Sequence, residues 1–196
     1  MALTYSEPRP LGWKAEDFDL PAILPAGGTH RQAYRDRISL KSLRDKKILV
    51  AVFMCNHCPY VIAVQDRLIE IAKKVEEKGG ILIGINSNDA VRYPDDGFEA
   101  MLKRSEEKKY PFPYVFDEDQ AVAHAYGAVC TPDPYVFENV GGAFQLRYHG
   151  RIDDSWKDPA HVKQTDLWNA VEQITRGEKP DTNQKPSMGC SIKWKP

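Results

Sequence analysis

The sequence predicts an α/β layer fold: a mixed β-sheet flanked by helices, with an N-terminal extension and a C-terminal tail. Three observations lead there. KKILVAVFM and ILIGINS are nearly unbroken apolar runs, the character of strands buried on both faces. The stretches that follow them carry apolar residues at helical spacing with charges between. The order along the chain is strand–helix–strand–helix–strand–helix, then a hairpin and a last helix, which suits a sheet covered by helices. A length of 196 residues is enough for one domain with a sizeable core. We read residues 1–196 as a single domain, with a core over about 12–177 and a tail over 178–196.

Residues 1–38 are rich in Pro, Gly and charge, and read as an extended lead-in containing a hairpin. ISLKSLRD predicts a helical turn with Ile38, Leu40 and Leu43 inward. KKILVAVFM is the first buried strand. From Pro59 to Lys78, Val61, Val64, Leu68, Ile71, Ala72 and Val75 share one helical face. Pro59 fits the first turn, where its missing N–H is not needed, and Gly79-Gly80 ends the helix. ILIGINS is the second strand and DDGFEAMLKRSEEKKY the second helix. YPFPYVFD ends in a short strand, EDQAVAHAYG is a short helix closed by Gly127, and PYVFEN with AFQLRYHG forms a hairpin around Gly141-Gly142. TDLWNAVEQITRG is the last amphipathic helix, and EKPDTNQKPSMGCSIKWKP reads as a polar tail.

Lys and Arg number 27 against 28 Asp and Glu, a formal net charge of -1. Such balance provides no pull toward nucleic acid or an anionic membrane, so function resides in a local site. The opening MALTYSEPRPLGWKAEDF lacks the apolar segment of a secretory signal, and no run reaches the ~18 apolar residues of a membrane span. The expected location is cytoplasmic.

The four cysteines are Cys55, Cys58, Cys130 and Cys190, too few for a disulfide scaffold. In a reducing compartment a close pair points to catalysis or metal binding. Cys55 ends a predicted buried strand and Cys58 opens a predicted helix. Unpaired N–H groups and the helix dipole favour negative charge there. A Cys55 thiolate would gain from both, and from His57 if protonated. Two intervening residues let the sulfurs meet, so that Cys58 can resolve a mixed disulfide at Cys55. A structural zinc site needs two more ligands at short spacing, and Cys130 and Cys190 stand alone. Inert buried thiols are the remaining reading. The end of a buried strand is, however, where α/β sheets place their sites.

C-N-H-C-P after a buried strand resembles the C-x-x-C motif of the thioredoxin superfamily. GWKAEDFDLPAI, ISLKSLRDKKILVAVF and YPFPYVFDEDQAVAHAYGAVCTPDPYVFENVGGAFQLRYHGRID are similar to its alkyl hydroperoxide reductase/thiol-specific antioxidant (redoxin) branch, over Gly12 to Asp154. PSMGCSIKWKP looks like a tail found on thioredoxin-like proteins of this branch. The resemblance implies a thioredoxin-like fold and a thiol:disulfide oxidoreductase with Cys55 and Cys58 catalytic. His57 tunes their pKa, and Thr131 with a cis Pro132 forms a substrate-binding loop that presents an extended backbone edge to the substrate chain. No bound cofactor and no metal are implied, and the expected partners are protein or small-molecule thiols and disulfides. Cys130 and Cys190 are candidates for accessory redox roles.

Several features depart from the pattern. Thioredoxins commonly carry Trp before the first cysteine, where this chain has Met54, and a buried carboxylate on the preceding strand, where Lys47–Met54 has none. Peroxiredoxins place a Thr four residues before the attacking cysteine and an Arg near the cis proline. The matching positions here are Met54 before Cys58, Ala51 before Cys55, and Cys130 near Pro132. A thiol peroxidase is therefore the second reading. A non-catalytic, metal-regulated binding module is a third. His124, on a helix face, and His149 and His161, read as exposed, carry no assigned role.

Overall fold

The computed structural model describes residues 3–27 and 33–196. The elements are β1 (Leu3–Tyr5), β2 (Asp19–Leu24), β3 (Tyr34–Ser39), β4 (Ile48–Phe53), α1 (Pro59–Glu77), β5 (Ile81–Asn86), α2 (Phe98–Lys108), β6 (Tyr114–Phe116), α3 (Ala121–Tyr126), β7 (Cys130–Thr131), β8 (Asp133–Val140), β9 (Ala143–His149), α4 (Asp166–Thr175) and β10 (Met188–Ser191). A seven-stranded mixed sheet runs in the order β3-β2-β6-β5-β4-β8-β9. β4, β5 and β6 are parallel neighbours, and the other pairings are antiparallel.

β4 lies inside the sheet, and each of its residues is buried, as its unbroken apolar run predicts. Val50 and Val52 face α1 and α4, packing with Val64, Leu68, Leu167 and Val171. Leu49, Ala51 and Phe53 face the other way, into a cluster with Ile83, Tyr126, Tyr135 and Phe137. The α1 positions expected inside are buried, and Gln65 joins them. The aromatics of YPFPYVF are core residues: Tyr110, Phe112, Tyr114 and Phe116 are all buried.

The lead-in forms the β2–β3 hairpin. Its turn, residues 28–32, lies outside the described residues. The expected turn at ISLKSLRD is shorter than read. Ile38 belongs to β3, which ends at Ser39, and only Leu40–Leu43 forms a 3₁₀ turn, because the Ser39–Ser42 capping box starts it there. His149 corrects the reading of an exposed residue: it is buried, with Nε2 2.9 Å from the buried Asp133 carboxylate. The alternation of AFQLRYHG breaks near the end of β9, where a register shift opposite Val136 and Phe137 leaves Tyr148 and His149 both buried and sets His149 against Tyr135. His161 is exposed, and the exposed His124 stacks on Trp194.

The tail is ordered against the domain. β10 pairs antiparallel with β1 on one side and β7 on the other, in a second, three-stranded sheet. Polar composition hides this, because β10 is short and its pairing partners are remote in sequence. Among the described residues, no helix is long and apolar enough to cross a membrane.

Candidate active site

Met54 leaves β4, and its N–H bonds to Ile85 O at 2.8 Å, so the chain exits the sheet beside β5. Cys55 follows. Cys58 is the N-cap of α1 in extended conformation, and Pro59 takes the first helical position. Asn56 and His57, between the cysteines, are pinned from outside the motif. Asn56 N–H donates to Asp96 Oδ1 at 2.7 Å, Asn56 Nδ2 to Asp95 O at 2.7 Å, and Arg104 to Asn56 O at 2.9 Å. Tyr114 OH reaches Asn56 Oδ1 at 3.3 Å.

His57 Nδ1 lies 2.5 Å from Asp96 Oδ2, and its ring stacks on Tyr93 at 5.4 Å. The bond to Asp96 raises the His57 pKa. Burial works against the Asp96 carboxylate, yet hydrogen bonds from His57, Asn88 and the Asn56 backbone hold it below its ordinary value. Asp96, Asn88, Tyr93 and Arg104 were missed in the sequence. Asp95 and Asp96 read there as the polar start of a helix, and nothing local shows that their turn folds back on Cys55–Cys58.

Cys55 Sγ lies 3.5 Å from the Thr131 hydroxyl, and Cys58 Sγ lies 3.2 Å from the Thr131 carbonyl oxygen. The Thr131–Pro132 peptide is cis, as the resemblance implies. The two thiols interact and titrate as a pair, so the first ionisation is easier than the second. The Cys55 hydrogen bond lowers Cys58 to about 5 against the opposing effect of burial, with help from the Cys190 thiol and the Val61 backbone at the helix start. Cys55 is pushed up, first by its bond to Cys58, then by burial and the nearby Asp96 charge. The sequence places the lowered pKa on Cys55, whereas here the contact between the thiols lowers Cys58 and raises Cys55. As a thiol, Cys58 is placed to donate to the Thr131 carbonyl, and Cys55 Sγ faces the Thr131 hydroxyl.

The Thr131 edge expected to meet a substrate chain is paired with β10 in this structure, with Cys190 opposite Thr131 and Ser191 opposite Cys130. Cys55 is 1% exposed and Cys58 0%. Cys190 is drawn to the pair and its thiol bonds to Cys58; burial raises it to about 12. Cys130 is buried on β7, its thiol pushed up by burial.

Among the described residues one group could hold a metal ion: ligand atoms of Cys55, His57 and Asp96 lie within 4.8 Å of one another. Both Asp96 oxygens already accept hydrogen bonds, Oδ1 from Asn56 and Oδ2 from Asn88, with His57 also on Oδ2. An ion would have to displace the His57–Asp96 bond, so the donors suit an organised histidine better than a metal.

Residues 11–151 match the model of the AhpC/TSA family. The chain belongs to the AhpC/TSA family. No curated protein matches it. An uncharacterized conserved protein from Geobacillus kaustophilus is 39% identical with a TM-score of 0.86, over 100% of this chain and 98% of that one. A hypothetical protein from Sinorhizobium meliloti 1021 is 35% identical with a TM-score of 0.84, over 98% of each chain. A thioredoxin-like protein in its oxidized form is 17% identical with a TM-score of 0.57, over 72% of this chain and 86% of that one, and shares the fold. Family and thioredoxin-like fold together support a thiol-based redox function.

The Asp96–His57 pair predicts a defined pH dependence. The raised His57 pKa contributes stability below the ordinary His value of ~6.5, lost as pH rises through the raised value. The lowered Asp96 pKa contributes above the ordinary Asp value of ~3.9, lost as pH falls through the lowered value. Asp96→Asn should cost about 1–3 kcal/mol, most strongly between those two values, and should lower the His57 pKa. Thermal melts across pH and NMR titration of His57 test this. A pH-independent loss with an unchanged His57 titration refutes the ion pair.

Proposed function

We propose that this protein is a thiol:disulfide oxidoreductase acting through Cys55 and Cys58. The observation that carries the reading is two cysteine sulfurs at a strand-to-helix junction, both held against Thr131. Cys58 takes the Cys55 proton, and the Cys55 thiolate attacks a substrate disulfide. A Cys55–substrate disulfide forms and one substrate thiolate leaves with a proton from solvent. Cys58, returned to the thiolate, attacks Cys55 Sγ, expels the second substrate thiolate and closes the Cys55–Cys58 disulfide. Two electrons have passed to the substrate, and the steps reverse for a dithiol. A thiolate as acidic as Cys58 is also a good leaving group when Cys55 is attacked. Protein or small thiols and disulfides are the partners this implies, in a cytoplasmic setting.

Cys58→Ser should trap the substrate as a mixed disulfide on Cys55, visible by mass spectrometry. Trapping on Cys58 in Cys55→Ser, with none on Cys55 in Cys58→Ser, reverses the roles. A thiol count lowered by bound zinc in the purified protein instead favours the metal-regulated module.

Peroxidase chemistry ranks second. Ala51 and Met54 are core side chains, and Arg104 is committed to the Asn56 carbonyl. Peroxide therefore lacks the electrostatic help that evolved sites supply. Stopped-flow oxidation by hydrogen peroxide should stay well below about 10⁵ M⁻¹s⁻¹, within the range reached by evolved enzymes. A faster rate puts peroxidase first.

A further inference from the structure

Thr131 is the meeting point of three cysteines. Its hydroxyl faces Cys55, its carbonyl faces Cys58, and its backbone pairs with Cys190 across β7 and β10. The approach is close: a β-carbon on Gly189 would lie 1.8 Å from the Thr131 carbonyl oxygen, so only glycine fits there. Tail bonds outside the strand fix the register. Ser187 Oγ donates to Pro132 O at 2.6 Å, Ile192 N–H to Val129 O at 2.9 Å, and Lys193 N–H to Asn88 Oδ1 at 2.8 Å. Ile192 is buried and Trp194 stacks on His124 at 4.3 Å. Cys190 is 1% exposed and packs in the same core cluster as Cys55 and Cys58. Anchoring the tail needs only a small apolar side chain at position 190. Instead the chain places a thiol in hydrogen-bonding contact with Cys58.

We propose that Cys190 is a third redox cysteine, which takes Cys58 from the Cys55–Cys58 disulfide and so locks the tail strand over the Thr131 edge. The proposal rests on disulfide exchange at Cys55–Cys58. Once that bond has formed, Cys190 loses its proton to solvent and attacks Cys58 Sγ. The Cys58–Cys190 bond forms, the Cys55–Cys58 bond breaks, and Cys55 departs as a thiolate that takes up a proton. No electrons enter or leave in this step, which isomerises one disulfide into another. The substrate disulfide of the preceding exchange is the oxidant, and both its electrons come from the protein. The product holds the oxidising equivalent in a bond that joins α1 to the tail.

Disulfide mapping of the full chain, oxidised with excess glutathione disulfide and quenched with acid, tests this. Wild type should yield a Cys58–Cys190 linked peptide together with alkylatable Cys55, beside the Cys55–Cys58 form. Cys55→Ser, which lacks the Cys55–Cys58 bond that Cys190 attacks, should yield little Cys58–Cys190 over the same time. Gly189→Val, which drives a side chain into the Thr131 carbonyl, should retain Cys55–Cys58 and lower the Cys58–Cys190 yield at least tenfold. Cys190→Ala should still form Cys55–Cys58 and turn over disulfides. If Cys55–Cys58 forms but Cys190 is always recovered as a free thiol, the third-cysteine proposal is wrong while disulfide exchange stands. If no variant forms Cys55–Cys58, disulfide exchange itself fails, and this inference with it.

Discussion

Cys55→Ser is expected to abolish disulfide exchange, lowering the rate of reduction of a small aromatic disulfide by about 10³-fold or more, the scale on which losing a nucleophile is felt. A serine hydroxyl neither ionises near neutral pH nor forms a stable bond to sulfur, so the first covalent step has no substitute. The fold should survive. The Cys55 position is buried, but the Thr131 hydroxyl 3.5 Å from the sulfur offers the new hydroxyl a partner. The cost should therefore be near that of one exchanged hydrogen bond, about 1 kcal/mol. Circular dichroism and a thermal melt separate lost chemistry from lost structure. A folded Cys55→Ser protein that keeps more than a tenth of the wild-type rate would remove Cys55 from the mechanism.

The largest stability effect is expected at Arg67, on α1. Its guanidinium pairs with the buried Asp153 carboxylate and donates to Ser155 O at 3.0 Å, Trp156 O at 2.5 Å and Ala63 O at 3.1 Å. These bonds fasten the segment after β9 to the helix that carries Cys58. The cleft between them, about 260 Å³, is lined by Pro132, Trp156 and Met188, so the fastening also sets the wall beside the cis proline. Arg67→Ala leaves the Asp153 charge buried without its partner, which costs about 3–5 kcal/mol. For a chain of this size that lowers the melting temperature by about 10 °C. Arg67→Lys should recover only part of the loss, because a single ammonium cannot span three carbonyls and a carboxylate as the planar fork does. A melting temperature within about 2 °C of wild type for Arg67→Ala would show that the pair is solvent-screened and structurally idle.

Much of the chain was legible without coordinates. KKILVAVFM is so evenly apolar that burial on both faces is its only stable use, and β4 sits inside the sheet accordingly. Val61, Val64, Leu68 and Val75 mark the buried face of α1 by spacing alone, and Pro59 marks its first turn. Cys55 and Cys58 could be placed at a strand-to-helix junction because both flanking patterns are local. The thioredoxin-like fold and the AhpC/TSA family followed from motifs that recur in order along the chain.

What tertiary structure alone decided is everything that joins residues far apart in sequence. Asp96 reaches Asn56 and His57 across 40 and 39 positions, and its role arises from a turn brought back by β5 and α2. His149 is buried by its register against Tyr135, which no property of AFQLRYHG dictates. Cys190 meets Thr131 through pairing of two very short strands, β10 and β7, that lie on either side of the last helix in the chain. Spacing and composition describe forces between near neighbours along the chain. The contacts of Cys55 and Cys58 with Thr131, and the strand laid over them, depend on distances of a few ångströms that folding alone creates.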